Sequence, residues 1–219
     1  MLRLDEDFTE FHSLLRSLPG CERPAARGEG RLLRSWDFLE DATKTICTTN
    51  TTWSQAQSMV ARLVERYGER GGGGTAFPEP ERLAAVPEAE LRECGLGYRA
   101  AAVCRIAEAV TAGALPREAS DWTALPTPAL HPRLLSLRGI GPYAASNLLM
   151  LLGHYDRLAI DSWLRRAVRD AWFDGVVVSD REIEARFGAF GPWRALVYWF
   201  HPALHPGRDA WRPPASRGG

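Results

Sequence analysis

The feature that most limits what this chain can fold into lies at residues 134 to 152. One helical run stops at Leu137 and another starts at Pro142, with only Arg138-Gly139-Ile140-Gly141 between them. A chain doubles back that sharply where side chains are missing, and the two glycines permit such a turn. Pro142 has its φ preset for the first turn of a new helix. The turn thus presents backbone N–H groups at a helix N-terminus, an arrangement suited to a phosphate. An ordinary helical hairpin packed in a core carries the same glycines, so the turn alone does not separate the two readings.

The remainder reads as helix after helix, with few stretches of β-branched alternation. Helical spacing runs from residue 39 to 69, then over 81–86, 88–94 and 99–111, the last with Val103, Ile106, Ala107 and Val110 on one face. Gly71 to Gly74 reads as a flexible loop, and Pro116, Pro126, Pro128 and Pro132 limit their stretch to short turns or short helices. Further helices are expected over 142–152, 162–172, 180–187 and 191–199, with Val176 to Val178 as a short extended piece. The tail from Pro202 to Gly219 carries four prolines and three arginines, a composition expected to stay partly disordered.

Charge excludes some partners and leaves others. The 219 residues hold 27 basic and 27 acidic side chains, which argues against indiscriminate coating of a polyanion. Residues 1–129 carry 15 basic and 19 acidic groups and residues 130–219 carry 12 and 8, so a positive face would draw on the C-terminal part. Only one basic residue, Lys44, is a lysine, so any step needing a lysine amine must use it. The apolar runs fall well short of the roughly 20 residues of a membrane span, and Asp5-Glu6-Asp7 is the wrong sign for a secretory leader. A cytoplasmic address is the expectation, associated with the nucleoid if the chain is bacterial. Cys21, Cys47, Cys94 and Cys104 form no CxxC pair and are expected to be reduced and mostly buried.

What separates the two readings of the hairpin is its pairing with a second motif, Ile160-Asp161-Ser162-Trp163-Leu164-Arg165-Arg166, whose aspartate falls 20 residues after Gly141. The pair closely resembles the helix-hairpin-helix plus Gly-Pro-Asp motif of the endonuclease III superfamily of DNA glycosylases. Three further blocks resemble the 8-oxoguanine glycosylase branch in family order: Thr45 to Thr52, then Phe77-Pro78 with Gly95 to Ala100, then Gly191-Pro192-Trp193 leading into Val197-Tyr198-Trp199-Phe200. The resemblance covers roughly residues 38 to 201. It implies an all-α fold of two helical lobes with the hairpin at the cleft where DNA lies. One lobe would be a central bundle over 38–150; the other would join 1–37 to 151–205, and 206–219 would be a flexible tail.

By resemblance, Gly139, Ile140, Gly141 and Tyr143 belong to the hairpin that grips the DNA backbone, and Asp161 is the catalytic carboxylate. Breaking an N-glycosidic bond leaves positive charge on the sugar, which a fixed carboxylate stabilises. Asp161 also suits the N-cap of the helix that follows, and the two roles are compatible. Flipping a base out of the duplex leaves a gap. Asn50 is implied to fill it, Tyr98 to act as the wedge, and Arg99 to contact the opposite cytosine. Their plain alternatives are a capped turn, a core aromatic and a surface charge. The branch's second cytosine-reading arginine falls at Gln55, which puts opposite-base selectivity in doubt.

Tyr143 departs from the bifunctional members, which hold a lysine there. A phenol forms no Schiff base, so the expectation is a monofunctional glycosylase with water as nucleophile and no strand cleavage. The last cysteine is Cys104, so the C-terminal iron–sulfur cluster of endonuclease III has no ligands here. No metal or cofactor is expected for catalysis, apart from a possible monovalent cation on the hairpin carbonyls. Trp53, Trp163, Tyr198, Trp199 and Phe200 are candidate walls for a flipped base, with Trp163 and Tyr198 favoured and Asn147 as a polar contact. The branch's base-reading glutamine is replaced by Tyr198. The leading substrate is oxidised guanine or another modified purine in double-stranded DNA, bound by a monomer. Alkylated bases, uracil or thymine mismatches, a non-catalytic damage-binding protein and a helical protein with no DNA role remain as alternatives.

Overall fold

The computed structural model describes residue 4 and residues 6–205, so the tail expected at 206–219 lies outside the described residues. The elements run in chain order as α1 Thr9–Ser17, α2 Glu22–Ala26, α3 Phe38–Thr48, α4 Trp53–Tyr67, a hairpin of β1 Arg70–Gly71 with β2 Gly74–Thr75, α5 Pro80–Ala84, α6 Glu88–Leu91, α7 Ala100–Thr111, α8 Ala119–Trp122, α9 Thr127–Leu135, α10 Pro142–Leu151, α11 Ser162–Trp172, α12 Asp180–Gly188 and α13 Arg194–Phe200. The fold is all-α apart from β1 and β2, which pair antiparallel where the glycine run predicted a loop. The helical run from residue 39 is two helices. Thr49 leaves α3 in an extended conformation, and Thr52 restarts the chain with a capping box on Gln55. Val176 to Val178 form no strand, and Val177 stands 83% exposed. The N-terminal α1 and α2 went unnoticed in the sequence because their apolar positions are few and their caps lack side-chain bonds.

The chain divides into two compact units, one of Leu32–Ala159 and the other joining Leu4–Arg31 to the chain from Ile160 onward. The first holds α3 to α10 around a single apolar core that runs from Phe38 to Leu152. Its helices pack as α3 on α4, α7 and α10, α5 on α7, and α9 on α10. Phe38 and Trp122 stack with ring centroids 4.0 Å apart, and the Trp122 indole N–H donates to the Pro116 carbonyl at 3.0 Å. All four cysteines are free and buried, and burial pushes the Cys47 thiol up to about 11.

In the second unit the N-terminal segment is tied to the C-terminal helices by rings. Phe8 and Phe11 lie 5.9 and 5.7 Å from Trp193, and Phe11 lies 6.2 Å from Phe200. Phe200, a candidate base wall in the sequence, is therefore a core residue of this unit.

Replacing Trp122 with alanine removes a stacked ring and its hydrogen bond from a site 1% exposed. The variant is expected to lose about 3–5 kcal/mol of stability, read as a lower urea midpoint with an unchanged slope.

Candidate nucleic-acid interface and active site

The hairpin between α9 and α10 follows from its two glycines in different ways. Gly139 sits at φ +87°, and a Cβ there would lie 2.4 Å from the Ala102 Cβ on α7. Only glycine satisfies both the backbone and the close approach. Gly141 has φ −89° and ψ −178°, open to any residue, and an added Cβ would meet nothing within 4 Å. The expectation that both glycines serve a turn too tight for side chains thus holds for Gly139 and fails for Gly141. Gly141 is exposed at the N-cap of the ten-residue α10, where a small residue leaves the helix N-terminus open to an anion. Ile140 between them is buried, 4% exposed, and anchors the turn in the core. Its N–H donates to the Leu137 carbonyl, and the Gly141 carbonyl accepts from Ala145. Arg138 is exposed beside the turn.

Tyr143, on the first turn of α10, is half-buried. Its carbonyl accepts the Asn147 side-chain amide at 3.0 Å. That bond uses one of the two amide hydrogens of Asn147 and leaves its second hydrogen and Oδ1 for a further contact.

In the same unit the structure brings Asn50, Tyr98 and Arg99 together around a cavity of about 750 Å³, lined also by Gln55 and Arg62. Asn50 occupies the left-handed region at φ +48°, a conformation asparagine tolerates better than most residues. The turn is braced from the other loop, because the Arg99 guanidinium donates to the carbonyls of Thr49 and Asn50. Arg99 also stacks over the Tyr98 ring at 4.5 Å. The plain alternatives fail for Tyr98, 63% exposed rather than core, and for Arg99, 8% exposed rather than a surface charge, whereas Asn50 does sit in a turn. Expected by resemblance to contact the opposite cytosine, Arg99 commits one nitrogen to the Asn50 turn, and its buried Nε has no hydrogen bond among the described residues. Gln55 is similarly engaged, its Oε1 accepting from Thr51 Oγ1 at 2.8 Å and Thr52 N at 3.1 Å. Trp53 stands 71% exposed at the start of α4.

The second unit carries the carboxylate. Asp161 caps α11 through Oδ1, which accepts the Leu164 N–H at 2.7 Å. The cap leaves Oδ2 without a hydrogen bond among the described residues. Trp163 is 48% exposed. Tyr198 is only 5% exposed, so it is not the open wall expected from the sequence; α13 is buried on most sides, and its accessible ring is the half-buried Trp199. Sequence reasoning passed over His205, whose ring stacks parallel to Trp199 within 7° at 5.6 Å. Its signal, a histidine just beyond the last aromatic helix, was indistinct among proline-rich neighbours. Arg165 is not free for a phosphate, because it makes a bidentate pair with Asp180 at 2.7 and 2.9 Å. That pair holds the Asp180 carboxyl below its ordinary range. No group of three or more metal-ligating side chains occurs among the described residues.

Residues 43–192 match the model of the HhH-GPD superfamily of base excision DNA repair proteins. The chain belongs to that superfamily. It is 26% identical over 153 residues to a DNA-3-methyladenine glycosylase of Bacillus subtilis, and this match covers 67% of the chain and 50% of the relative. The chain thus spans about half the length of that curated relative. Its fold is that of the Clostridium acetobutylicum 8-oxoguanine glycosylase/lyase bound to DNA, with a TM-score of 0.76 at 22% identity over 95% of this chain and 72% of that one. It is also that of the Schizosaccharomyces pombe 3-methyladenine DNA glycosylase in complex with abasic DNA, with a TM-score of 0.72 at 20% identity over 93% and 98% of the two chains.

The two hairpin glycines should separate in mutagenesis. Gly139→Ala is expected to lose at least about 1–2 kcal/mol from the left-handed backbone alone, with the Ala102 clash added. Gly141→Ala should lose less than about 1 kcal/mol yet weaken binding to duplex DNA. Thermal melts paired with gel shifts over a salt series check both.

Proposed function

We propose that this HhH-GPD protein is a monofunctional DNA glycosylase that hydrolyses the N-glycosidic bond of an alkylated purine flipped from duplex DNA. The observation that carries the reading is Asp161, a carboxylate that caps its helix through one oxygen and keeps the other available, in a chain with Tyr143 on the hairpin helix. In this reading the N–H groups at Gly141 hold a backbone phosphate, Asn50 fills the vacated space and Tyr98 wedges beside it. As the C1′–N bond breaks, the base departs with the bonding electrons and positive charge develops on the sugar. Asp161 stabilises that charge, and a water adds to C1′ while its proton passes to the carboxylate. The product is an abasic site and a free base. Lys44 is ion-paired with Glu40 on α3, which supports hydrolysis without Schiff-base chemistry. A monovalent cation at the hairpin would sit on its turn carbonyls, adding positive charge where the phosphate approaches.

The aromatic cluster of Trp163, Trp199 and His205 favours an alkylated base over oxidised guanine. An electron-poor, cationic ring gains more from stacking on indole faces than a neutral one. The Bacillus subtilis relative supports the same direction. The engagement of Arg99 with the Asn50 turn and of Gln55 with Thr51 and Thr52 supports a protein that reads the opposite base weakly.

A panel of duplexes, each with one lesion, tests this by incubation followed by alkali. Cleavage is expected at a 3-methyladenine- or 7-methylguanine-type lesion, with rates that vary by no more than about tenfold across the four opposite bases, since a lost single contact is worth only about 0.5–1.5 kcal/mol. Asp161→Asn keeps a good N-cap and should bind DNA normally while excising at least about 100-fold more slowly. Nicking before alkali, or a borohydride-trapped adduct, would refute the monofunctional mechanism. Tight binding to abasic DNA without excision of any lesion would favour the damage-binding alternative.

A further inference from the structure

Several arginines of the first unit are matched by carboxylates. Arg66 on α4 lies 3.8 Å from both Glu90 and Glu93, and Arg92 and Arg117 are paired in the same way. Arg62, one turn before Arg66, has no ion-pair partner among the described residues, although it is exposed. Its Nε donates to the Cys94 carbonyl at 2.7 Å, and neither Nη group makes a hydrogen bond among the described residues. The facing segment is shaped to receive it. Gly95 leaves helical geometry at φ +89°, and a Cβ there would lie 2.3 Å from the Arg62 Nη2. The guanidinium is thus held by its Nε edge against bare backbone, at the rim of the cavity it lines with Asn50, Ser54, Ser58, Tyr98 and Arg99. None of the residues lining that cavity is acidic, and no acidic side chain occurs between Asp41 and Glu65. An open hollow with two guanidinium groups, hydroxyls and no carboxylate attracts an anion.

We propose that Arg62 holds a backbone phosphate of the DNA, its Nη groups donating to the non-bridging oxygens while Nε stays on Cys94. This rests on the DNA glycosylase reading and adds a contact to it. A guanidinium offers donors only. A phosphate answers with acceptors only, whereas base edges mix donors with acceptors and differ from base to base. A phosphate contact fixes the register of the duplex and carries no sequence information. It would seat the DNA against Asn50 and Tyr98 in the same way whatever base lies there, in keeping with weak reading of the opposite base.

The test uses the full chain in gel shifts over a salt series, with duplexes that carry a stable abasic-site analogue opposite each of the four bases. Arg62→Gln should bind every duplex about tenfold more weakly, the size of one charge-assisted contact at an open surface. Its plot of log affinity against log salt should be shallower by about 0.9, the slope of one lost phosphate contact. Arg62→Lys keeps the charge without the Nε bond and should keep the parent's slope. A walk of single, uncharged methylphosphonate linkages should find one position that weakens the parent about as much as Arg62→Gln does, and at which Arg62→Gln adds nothing; this arm reads the parent directly. If both variants weaken binding equally with the slope unchanged, Arg62 only braces the Cys94 segment and the proposal is wrong. A loss confined to one opposite base makes the contact a base edge and overturns it too. Unchanged binding with lesion excision intact overturns it and leaves the glycosylase reading standing. Failure of the parent to bind any duplex or excise any lesion overturns both.

Discussion

The close approach of Gly139 to Ala102 is the contact on which the first unit's surface depends. It sets the hairpin backbone against α7 at a distance no side chain permits. The first turn of α7 is continuous with Tyr98 and Arg99, and Arg99 holds the carbonyls of Thr49 and Asn50. The hairpin turn, Tyr98 and Asn50 are thereby linked through one backbone packing contact and one guanidinium. Buried Ile140 fixes the turn from below, while exposed Gly141 leaves its helix end open.

Much of this was legible because the signals are local. Helix spacing, proline at helix starts and a glycine turn are short-range rules, and α7, α10 and α11 lie within two residues of where the pattern put them. The Asp161 cap was readable for the same reason. What the sequence hid depends on tertiary partners. Nothing local says that Arg99 turns inward to Thr49, that Tyr198 is buried while Trp199 is not, or that Arg165 is occupied by Asp180 fifteen residues on. The break at Thr49–Thr52 falls in a wholly polar run, Thr48 to Thr52, a signal that the apolar spacing on either side obscured. The two glycines looked alike in the sequence, and only their surroundings show that one is demanded by the fold and the other is not.

Electrically the protein is economical with its arginines. Arg117 joins Asp37 and the Glu79–Glu81 stretch, Arg169 pairs with Asp170, and Arg92 with Glu88. Exposed pairs of this kind add little stability, but they remove positive charge from the surface.

The Asn50 turn concentrates two unfavourable features in one place. Its backbone is held at a positive φ, and the arginine that holds it buries an Nε with no partner. Each is unfavourable by about 1–3 kcal/mol, in a unit whose core is otherwise apolar. A ligand that accepts from that nitrogen, or lets the turn relax, gains energy already stored in the free protein. The folded state and the bound state are therefore thermodynamically linked at this loop. A ligand selective for the relaxed turn would therefore stabilise the fold, and a change that relaxes the empty turn would make the protein sturdier and such a complex weaker.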